Sequence, residues 1–151
     1  MRIVMGCDHR GYAVKQRLLA TLAKQGHEVR DIGVSTGEEA ADYPDYAIPV
    51  AEAVTRGEAD RGVLICGTGF GMCIVANKVP GVRAVTCRDP IEAEMSRRHN
   101  DANVLCMSAD FLGQDLIDRL VQVWLATDFE GGRHQRRVEK ISQYEASPHA
   151  G

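Results

Sequence analysis

Short runs of apolar, often β-branched residues alternate along this chain with longer stretches whose apolar residues recur at helical spacing. That alternation is typical of a parallel sheet whose strands are connected by helices. The run Gly62–Cys66 is apolar at nearly every position, which is typical of a central parallel strand covered on both faces. The order of elements therefore constrains the fold more than any other feature of the sequence.

We predict an α/β fold, a single doubly wound, Rossmann-like domain over residues 1–151, with a five-stranded parallel sheet flanked by helices. The predicted strands are Ile3–Cys7, His27–Ile32, Gly62–Cys66, Val82–Cys87 and Val104–Met107. The predicted helices are Tyr12 to about Gly26, Pro44–Arg56, Gly69–Lys78, Pro90–His99, Leu112–Ala126 and an extra C-terminal helix, Arg133–Tyr144. Residues 146–151 are expected to form a frayed tail.

Charge and composition exclude several classes of partner. Eighteen lysines and arginines against 21 aspartates and glutamates give a net charge of −3, which does not favour a nucleic-acid surface. No apolar stretch has the length needed to cross a membrane, and the first one breaks at Asp8, too early for a signal peptide. The five cysteines are odd in number and lack zinc-site spacing, so we expect reduced thiols in a cytoplasmic protein.

The segment Leu64–Met72 runs from an apolar strand through Cys66 into a loop with three glycines. Glycines let backbone N–H groups converge on a charged oxygen, and the N-terminus of the following helix adds partial positive charge. The same field favours a thiolate at Cys66, which makes this cysteine a candidate base or nucleophile. A cysteine at a strand end is as often a small packing residue, so the two interpretations remain equally open on local sequence.

Polar side chains follow four of the five predicted strands. Because the carboxyl ends of parallel strands meet at one edge, these residues are expected to lie near one another: Asp8 and His9, Cys66 and Thr68, Arg88 and Asp89, and Ser108 and Asp110. The pair His99-Asn100 lies just before the fifth strand and is compatible with either end of the sheet. The sequence therefore predicts an anion-binding, catalytic edge.

The final predicted helix begins with a basic turn that contains Arg133, His134, Arg136 and Arg137. Positive charge at a helix N-terminus is unfavourable by helix-dipole logic, so this turn is a candidate for binding an anion. A solvated charged surface near the end of the chain is the simpler alternative.

Seven motifs, in order along the chain, together resemble ribose-5-phosphate isomerase type B, of the wider family that includes the galactose-6-phosphate isomerase subunits. They are Gly6-Cys7-Asp8-His9, Asp42-Tyr43-Pro44, Cys66-Gly67-Thr68-Gly69, Asn77-Lys78, Gly81-Val82-Arg83-Ala84, Arg98-His99-Asn100-Asp101 and Glu130-Gly131-Gly132-Arg133-His134. The resemblance covers about residues 2–145.

The resemblance implies an aldose–ketose interconversion of a phosphorylated sugar, with D-ribose 5-phosphate and D-ribulose 5-phosphate as the leading pair. In the family the cysteine at position 66 moves a proton between adjacent carbons, and Thr68 positions an oxygen of the substrate. The negative enediolate oxygen would be held by Asn100 and by the backbone N–H groups of the loop, Gly67, Gly69, Phe70 and Gly71.

Other matching positions imply how the sugar is opened and held. His99 matches the family's ring-opening acid and base, a task that suits a pKa near neutrality. Asp42 and Tyr43 match residues that line the ring, and Asp8 and His9 match residues at the hydroxyls or the phosphate. Arg133 and Arg137 match a phosphate clamp that reaches the neighbouring subunit. The resemblance thus implies a homodimer with shared sites, alone or within a tetramer, and neither a metal nor a nucleotide cofactor.

One position departs from the family. Ribose-specific members carry an arginine after the fifth strand, where this chain has Asp110. A carboxylate repels a phosphate, so the clamp would be incomplete unless Arg88 compensates or the substrate is another sugar phosphate, such as that of allose, galactose or a tetrose.

Three competing interpretations were weighed. A dinucleotide-binding motif is disfavoured because Met72 occupies its last glycine position and the loop follows the third strand, not the first. A cysteine phosphatase would need an arginine at the position of Met72. A module that binds sugar phosphates without converting them remains open.

Overall fold

The computed structural model describes residues 1–147 and contains one parallel five-stranded sheet in the order β2-β1-β3-β5-β4. The strands are β1 Arg2–Cys7, β2 Glu28–Asp31, β3 Arg61–Cys66, β4 Ala84–Thr86 and β5 Val104–Ser108. The helices are α1 Tyr12–Lys24, α2 Pro44–Thr55, α3 Phe70–Ala76, α4 Pro90–Asn100, α5 Gln114–Ala126 and α6 Arg133–Ala146. A single 3₁₀ turn, His9–Gly11, connects β1 to α1.

Helices cover both faces of the sheet, as alternation of side chains along the strands requires. On one face, Ile3, Val63 and Leu105 pack with residues of α1, α4 and α5. On the other face, Val4 and Leu64 pack with residues of α2 and α3. The central strand β3 is buried from Gly62 onwards, which confirms the predicted doubly wound arrangement.

Strand β4 and helix α3 are shorter in the structure than predicted. Strand β4 loses Val82 and Arg83, because Val82 N–H bonds to a turn carbonyl and Arg83 N–H bonds to the Asn103 side chain. It also loses Cys87, since pairing with β5 ends at Thr86. Helix α3 starts only after Gly69, which has φ +80°, and gives way to Asn77 at its C-cap.

Helix α5 begins at Gln114 and not at Leu112, because a turn follows β5 and Gly113 is extended. The remaining boundaries differ from the prediction by one or two residues. Two residues of the expected tail 146–151 are described. Ala146 is the final residue of α6 and Ser147 is its C-cap, and the rest of the predicted tail lies outside the described residues.

The strand order determines which strand ends are neighbours. Strand β2 lies on one side of β1, whereas β3, β5 and β4 lie on the other, so the direction of the connections changes between β1 and β3. In open α/β sheets, such a switch point is where the loops separate and a ligand site forms. Among residues 1–147, no helix is long and apolar enough to span a membrane.

Candidate active site

The carboxyl ends of β1, β3 and β5 lie side by side. Cys7 is paired with Ile65 and Cys66 with Ser108, so the segments that follow these strands meet at one edge. Two backbone hydrogen bonds join them, Asp8 N–H to Ile65 O at 3.3 Å and Ala109 N–H to Cys66 O at 2.9 Å. The structure thus brings the residues after these three strands together, and that they form one site stays a prediction.

Cys66 ends β3 with its sulfur at the start of helix α3. The Gly69 N–H donates a hydrogen bond to the Cys66 Sγ at 3.1 Å. The side chain is 4% exposed and packs with the core residues on the α2–α3 face. This position suits both interpretations of the sequence, a packing residue and a base at the rim of the sheet, and substitution is needed to choose between them.

The glycine loop already uses part of its hydrogen-bonding capacity internally. Besides the Gly69 N–H, the Phe70 N–H donates to Thr68 Oγ1 at 3.3 Å. Thr68 itself is exposed, so its hydroxyl is accessible at the edge. Two of the N–H groups that were expected to hold an oxyanion therefore point into the loop in this conformation.

Asp42 and Tyr43 lie where the second helix meets the loop. The Tyr43 ring packs directly on Gly71, because a Cβ placed on that glycine would lie 2.7 Å from Tyr43 Cζ. Only glycine allows this contact, and Asp42 next to it is exposed. The structure thus places Tyr43 beside the Cys66 loop, and the role of both residues in lining the sugar ring stays a prediction.

Asp8 and His9 each accept structural hydrogen bonds through one side-chain atom. Asp8 Oδ1 accepts hydrogen bonds from the N–H groups of Arg10 at 3.0 Å and Gly11 at 3.2 Å, which caps the 3₁₀ turn. His9 Nδ1 accepts the Ala41 N–H at 3.2 Å, so its Nε2 is the nitrogen that faces away from this contact. We call these edge residues the Cys66 group: Asp8, His9, Asp42, Tyr43, and Cys66 with its loop to Gly71.

Within the same chain, His99 and Asn100 lie at the opposite end of the parallel strands, where the strands begin. They end α4, just before β5, and the first residue of β5, Val104, is paired with Gly62 at the start of β3. From Gly62 to Cys66 the strand advances roughly 13 Å at about 3.3 Å per residue. The sequence left both ends of the sheet open for this pair, and within a single chain it lies at the end opposite Cys66.

A second cluster surrounds His99. Its ring is stacked on that of His134, with centroids 4.2 Å apart and 9° between the planes. Arg133 Nε lies 3.4 Å from His134 Nε2. Burial, together with the positive charges of His99 and Arg133, keeps the pKa of His134 below its usual value. A neutral His134 can stack on His99 without charge repulsion.

We call this cluster the His99 group: His99, Asn100, Arg133, His134 and Arg137. Its arginines lie at the start of α6, which packs on α4. Both Arg133 and Arg137 are exposed, and neither forms an ion pair with any carboxylate of residues 1–147. The structure thus separates the predicted site residues into two groups at opposite ends of the sheet.

His99, Glu130 and His134 could together offer three ligand atoms to a metal ion, since these atoms lie within 4.8 Å of one another. The rings are almost parallel, however, and a metal must lie close to the plane of each imidazole that binds it. Glu130 also accepts hydrogen bonds from Arg98, which keep the pKa of its carboxyl below the usual range. In this geometry the cluster does not suit a metal ion, and the absence of a metal cofactor stays a prediction.

Comparison with known proteins identifies the family of this chain. A protein family described as Ribose/Galactose Isomerase matches residues 3–141. The chain belongs to this family. The family assignment made from the motifs is therefore confirmed, and so is the enzyme class, a sugar isomerase.

Individual relatives agree over nearly the whole chain. Ribose-5-phosphate isomerase B of Escherichia coli is 49% identical over 95% of this chain and 96% of its own. The structure of ribose-5-phosphate isomerase B from Clostridium thermocellum has 50% identity and a TM-score of 0.94, covering 96% of this chain and 97% of that one. The Mycoplasma genitalium enzyme, solved with bound ribulose-5-phosphate, has 41% identity and a TM-score of 0.91, with 95% of each chain covered.

Two site residues were not singled out from the sequence. His134 was noted only as part of a basic turn, although it stacks on His99. Arg10 belongs to none of the sequence motifs, although it follows His9 and its side chain lies beside the Cys66 loop. Each residue is adjacent in the sequence to a predicted site residue, Arg133 or His9, and this was the only sequence signal. The contacts themselves, His134 with His99 and Arg10 with Asp110, join segments that are distant in the sequence.

Proposed function

We propose that this protein interconverts D-ribose 5-phosphate and D-ribulose 5-phosphate. The observation that carries the proposal is the Cys66 group, in which a sulfur, a glycine loop and the Asp8–His9 turn meet at the switch point of a sugar-isomerase fold. Ribose-5-phosphate isomerase activity is named for relatives that cover nearly the whole chain.

The proposed reaction begins with the closed sugar ring, which has no free carbonyl. His99 donates a proton to the ring oxygen as the bond from C1 to that oxygen breaks, while a base takes the proton of the anomeric hydroxyl, and the aldehyde is released. Cys66 then takes the proton from C2 and returns it to C1, through an enediolate, and the hydroxyl proton of O2 passes to O1. Thr68 and Asn100, with those N–H groups of the loop that become available to the substrate, bind the oxygens on which negative charge develops.

This sequence of steps needs His99 near Cys66, and we therefore propose that two chains share each site. In one chain these residues lie at opposite edges of the sheet, so a second copy must supply the His99 group. Exposed apolar side chains on α3 beside the loop support this contact: Phe70 is 52% and Ile74 61% exposed. The unpaired Arg133 and Arg137 would then clamp the phosphate in the partner's site.

Subunit mixing tests the shared site directly. Cys66→Ser and His99→Ala homodimers should each have low activity on the cyclic sugar phosphate. After the two variants exchange subunits, half of the sites in a mixed dimer contain neither substitution, so we expect recovery of about a quarter of wild-type activity. No recovery in mixtures that contain mixed dimers, verified by mass spectrometry, would refute sharing of His99.

The second candidate is a tetrose phosphate isomerase. Two relatives of similar identity, 39% and 40%, are named D-erythrulose-4-phosphate isomerases. Asp110, where ribose-specific members carry an arginine, supports a changed preference. Steady-state kcat/KM on ribose, allose, galactose and tetrose phosphates decides between them, and we expect the highest value for ribose 5-phosphate.

Measurement of sugar-phosphate binding together with solvent proton exchange addresses the non-catalytic alternative. If the purified protein bound sugar phosphates but exchanged no substrate proton with solvent, it would be a binding module. We further propose a cytoplasmic location, which is supported by the five cysteines, all of them free thiols.

A further inference from the structure

Arg10 and Asp110 form an ion pair at the Cys66 edge although 100 residues separate them in the sequence. Arg10 Nε lies 3.2 Å from Asp110 Oδ1 and 2.9 Å from Oδ2, and Arg10 Nη2 lies 2.9 Å from Oδ2. The carboxylate that departs from the family pattern is therefore neutralised by an arginine of the same chain.

Backbone contacts hold the pair directly over the glycine loop. Asp110 N–H donates to Gly67 O at 3.1 Å, and Ser108 Oγ donates to the same oxygen at 2.6 Å. A Cβ on Gly67 would lie 2.9 Å from Asp110 Oδ2 and 3.1 Å from Arg10 Cδ. The absence of a side chain at Gly67 is thus what lets both partners approach the loop.

The guanidinium keeps hydrogen-bond donors for another anion. Asp110 occupies Nε and one side of Nη2, whereas Nη1 has no hydrogen-bond partner among residues 1–147. The Arg10 side chain is 56% exposed. It also follows His9, whose Nε2 faces away from its backbone contact. A fixed guanidinium beside an imidazole is an arrangement that suits a phosphate.

We propose that Arg10 is a phosphate-binding residue of this enzyme, supplied by the subunit that supplies Cys66 and held in place by Asp110. This inference rests on the proposed sugar-phosphate isomerase function and assigns a specific group to the substrate's phosphate. It also explains how a phosphate can bind although Asp110 replaces the family's arginine. The Asp110 carboxylate holds Arg10, and Arg10 supplies the positive charge from the 3₁₀ turn after β1.

Arg88, the compensating residue suggested by the sequence, has a different environment. It follows β4, on the far side of β5 from Cys66, and pairs with Glu92 in the first turn of α4. It is therefore the rival to be tested beside Arg10. Arg56, an exposed arginine paired with Glu52 at the end of α2, is the matched control.

Arg10→Met removes the charge and keeps an unbranched stem over Gly67. Loss of a charge-assisted contact to phosphate should raise KM for ribose 5-phosphate by about 10- to 100-fold and change kcat less than about threefold. Arg56→Met and Arg88→Met should leave KM unchanged. An effect of Arg88→Met in place of Arg10→Met, or a loss confined to kcat, would overturn the proposal.

The double variant Arg10→Met/Asp110→Asn distinguishes phosphate binding by Arg10 from mere neutralisation of the Asp110 charge by Arg10. If Arg10 contacts the phosphate, KM stays raised when both charges are removed. If Arg10 only cancels the repulsion by Asp110, the double variant recovers the wild-type KM and the proposal fails.

Binding of inorganic phosphate, measured by calorimetry on the purified protein, keeps this test independent of turnover. Arg10→Met should weaken phosphate binding by a similar factor, and Arg56→Met should not. If the wild-type protein converted no sugar phosphate, the proposed function would fail while weakened phosphate binding by Arg10→Met would still support the site. Equal phosphate affinities in Arg10→Met and wild type would refute it, whatever the turnover.

Discussion

Gly69 is the residue at which backbone conformation and packing both restrict the side chain, and its replacement by alanine tests the architecture of the Cys66 loop. Gly69 has φ +80°, and a Cβ there would lie 3.0 Å from the carbonyl carbon and 3.1 Å from the carbonyl oxygen of Met107. Gly26 has nearly the same φ, +84°, but nothing lies within 4 Å of its Cβ position. The two substitutions therefore share the conformational cost and differ in the clash.

The left-handed conformation costs a residue with a Cβ roughly 1–2 kcal/mol. Gly26→Ala should lose about that much free energy of unfolding. At Gly69 the obstructing atoms are backbone of the buried strand β5, which cannot rotate away, and overpacking adds about 1–3 kcal/mol. We expect Gly69→Ala to lose about 2–5 kcal/mol in total.

Urea denaturation of both variants and the wild type, at one protein concentration, measures these losses. Because the Gly69 N–H is also the donor to Cys66 Sγ, kcat of Gly69→Ala should fall under conditions where the variant is fully folded, and that of Gly26→Ala should not. Equal losses of stability for the two variants would show that the approach of Met107 to Gly69 does not restrict the loop.

Three further outcomes are expected. Cys66→Ser should leave substrate binding nearly intact and lower turnover by about 10²- to 10⁴-fold, whereas unchanged turnover would make Cys66 a packing residue. Arg137→Ala should raise KM more than it lowers kcat, and the reverse would contradict a phosphate clamp. A hydrogen bond from the Cys106 thiol lowers the pKa of Cys73 to about 7. Alkylation of Cys73, followed by mass spectrometry, should therefore accelerate as pH rises through about 7, with a higher midpoint in Cys106→Ala; a midpoint near 9 in the wild type would refute this.

Local patterns in the sequence were sufficient for the order and type of the elements. Apolar periodicity identified the five strands and six helices, because side-chain period depends only on neighbouring residues. The same reasoning placed Cys66 and its glycines at the end of a buried strand. It failed at the ends of β4 and α3, where the side chains of Asn103 and Asn77 bond to backbone and replace regular structure.

Only the tertiary structure decided which strand ends are neighbours and which residues share an edge. The order β2-β1-β3-β5-β4 is set by pairing between segments far apart in the chain, and no periodicity encodes that order. It placed His99 at the opposite edge from Cys66, where the sequence had left both edges open. It also joined Arg10 to Asp110, because the two loops become neighbours only when β1 and β5 flank β3. The sequence thus predicted the chemistry that each residue type can perform, whereas the contact partner of each residue depended on packing between distant segments.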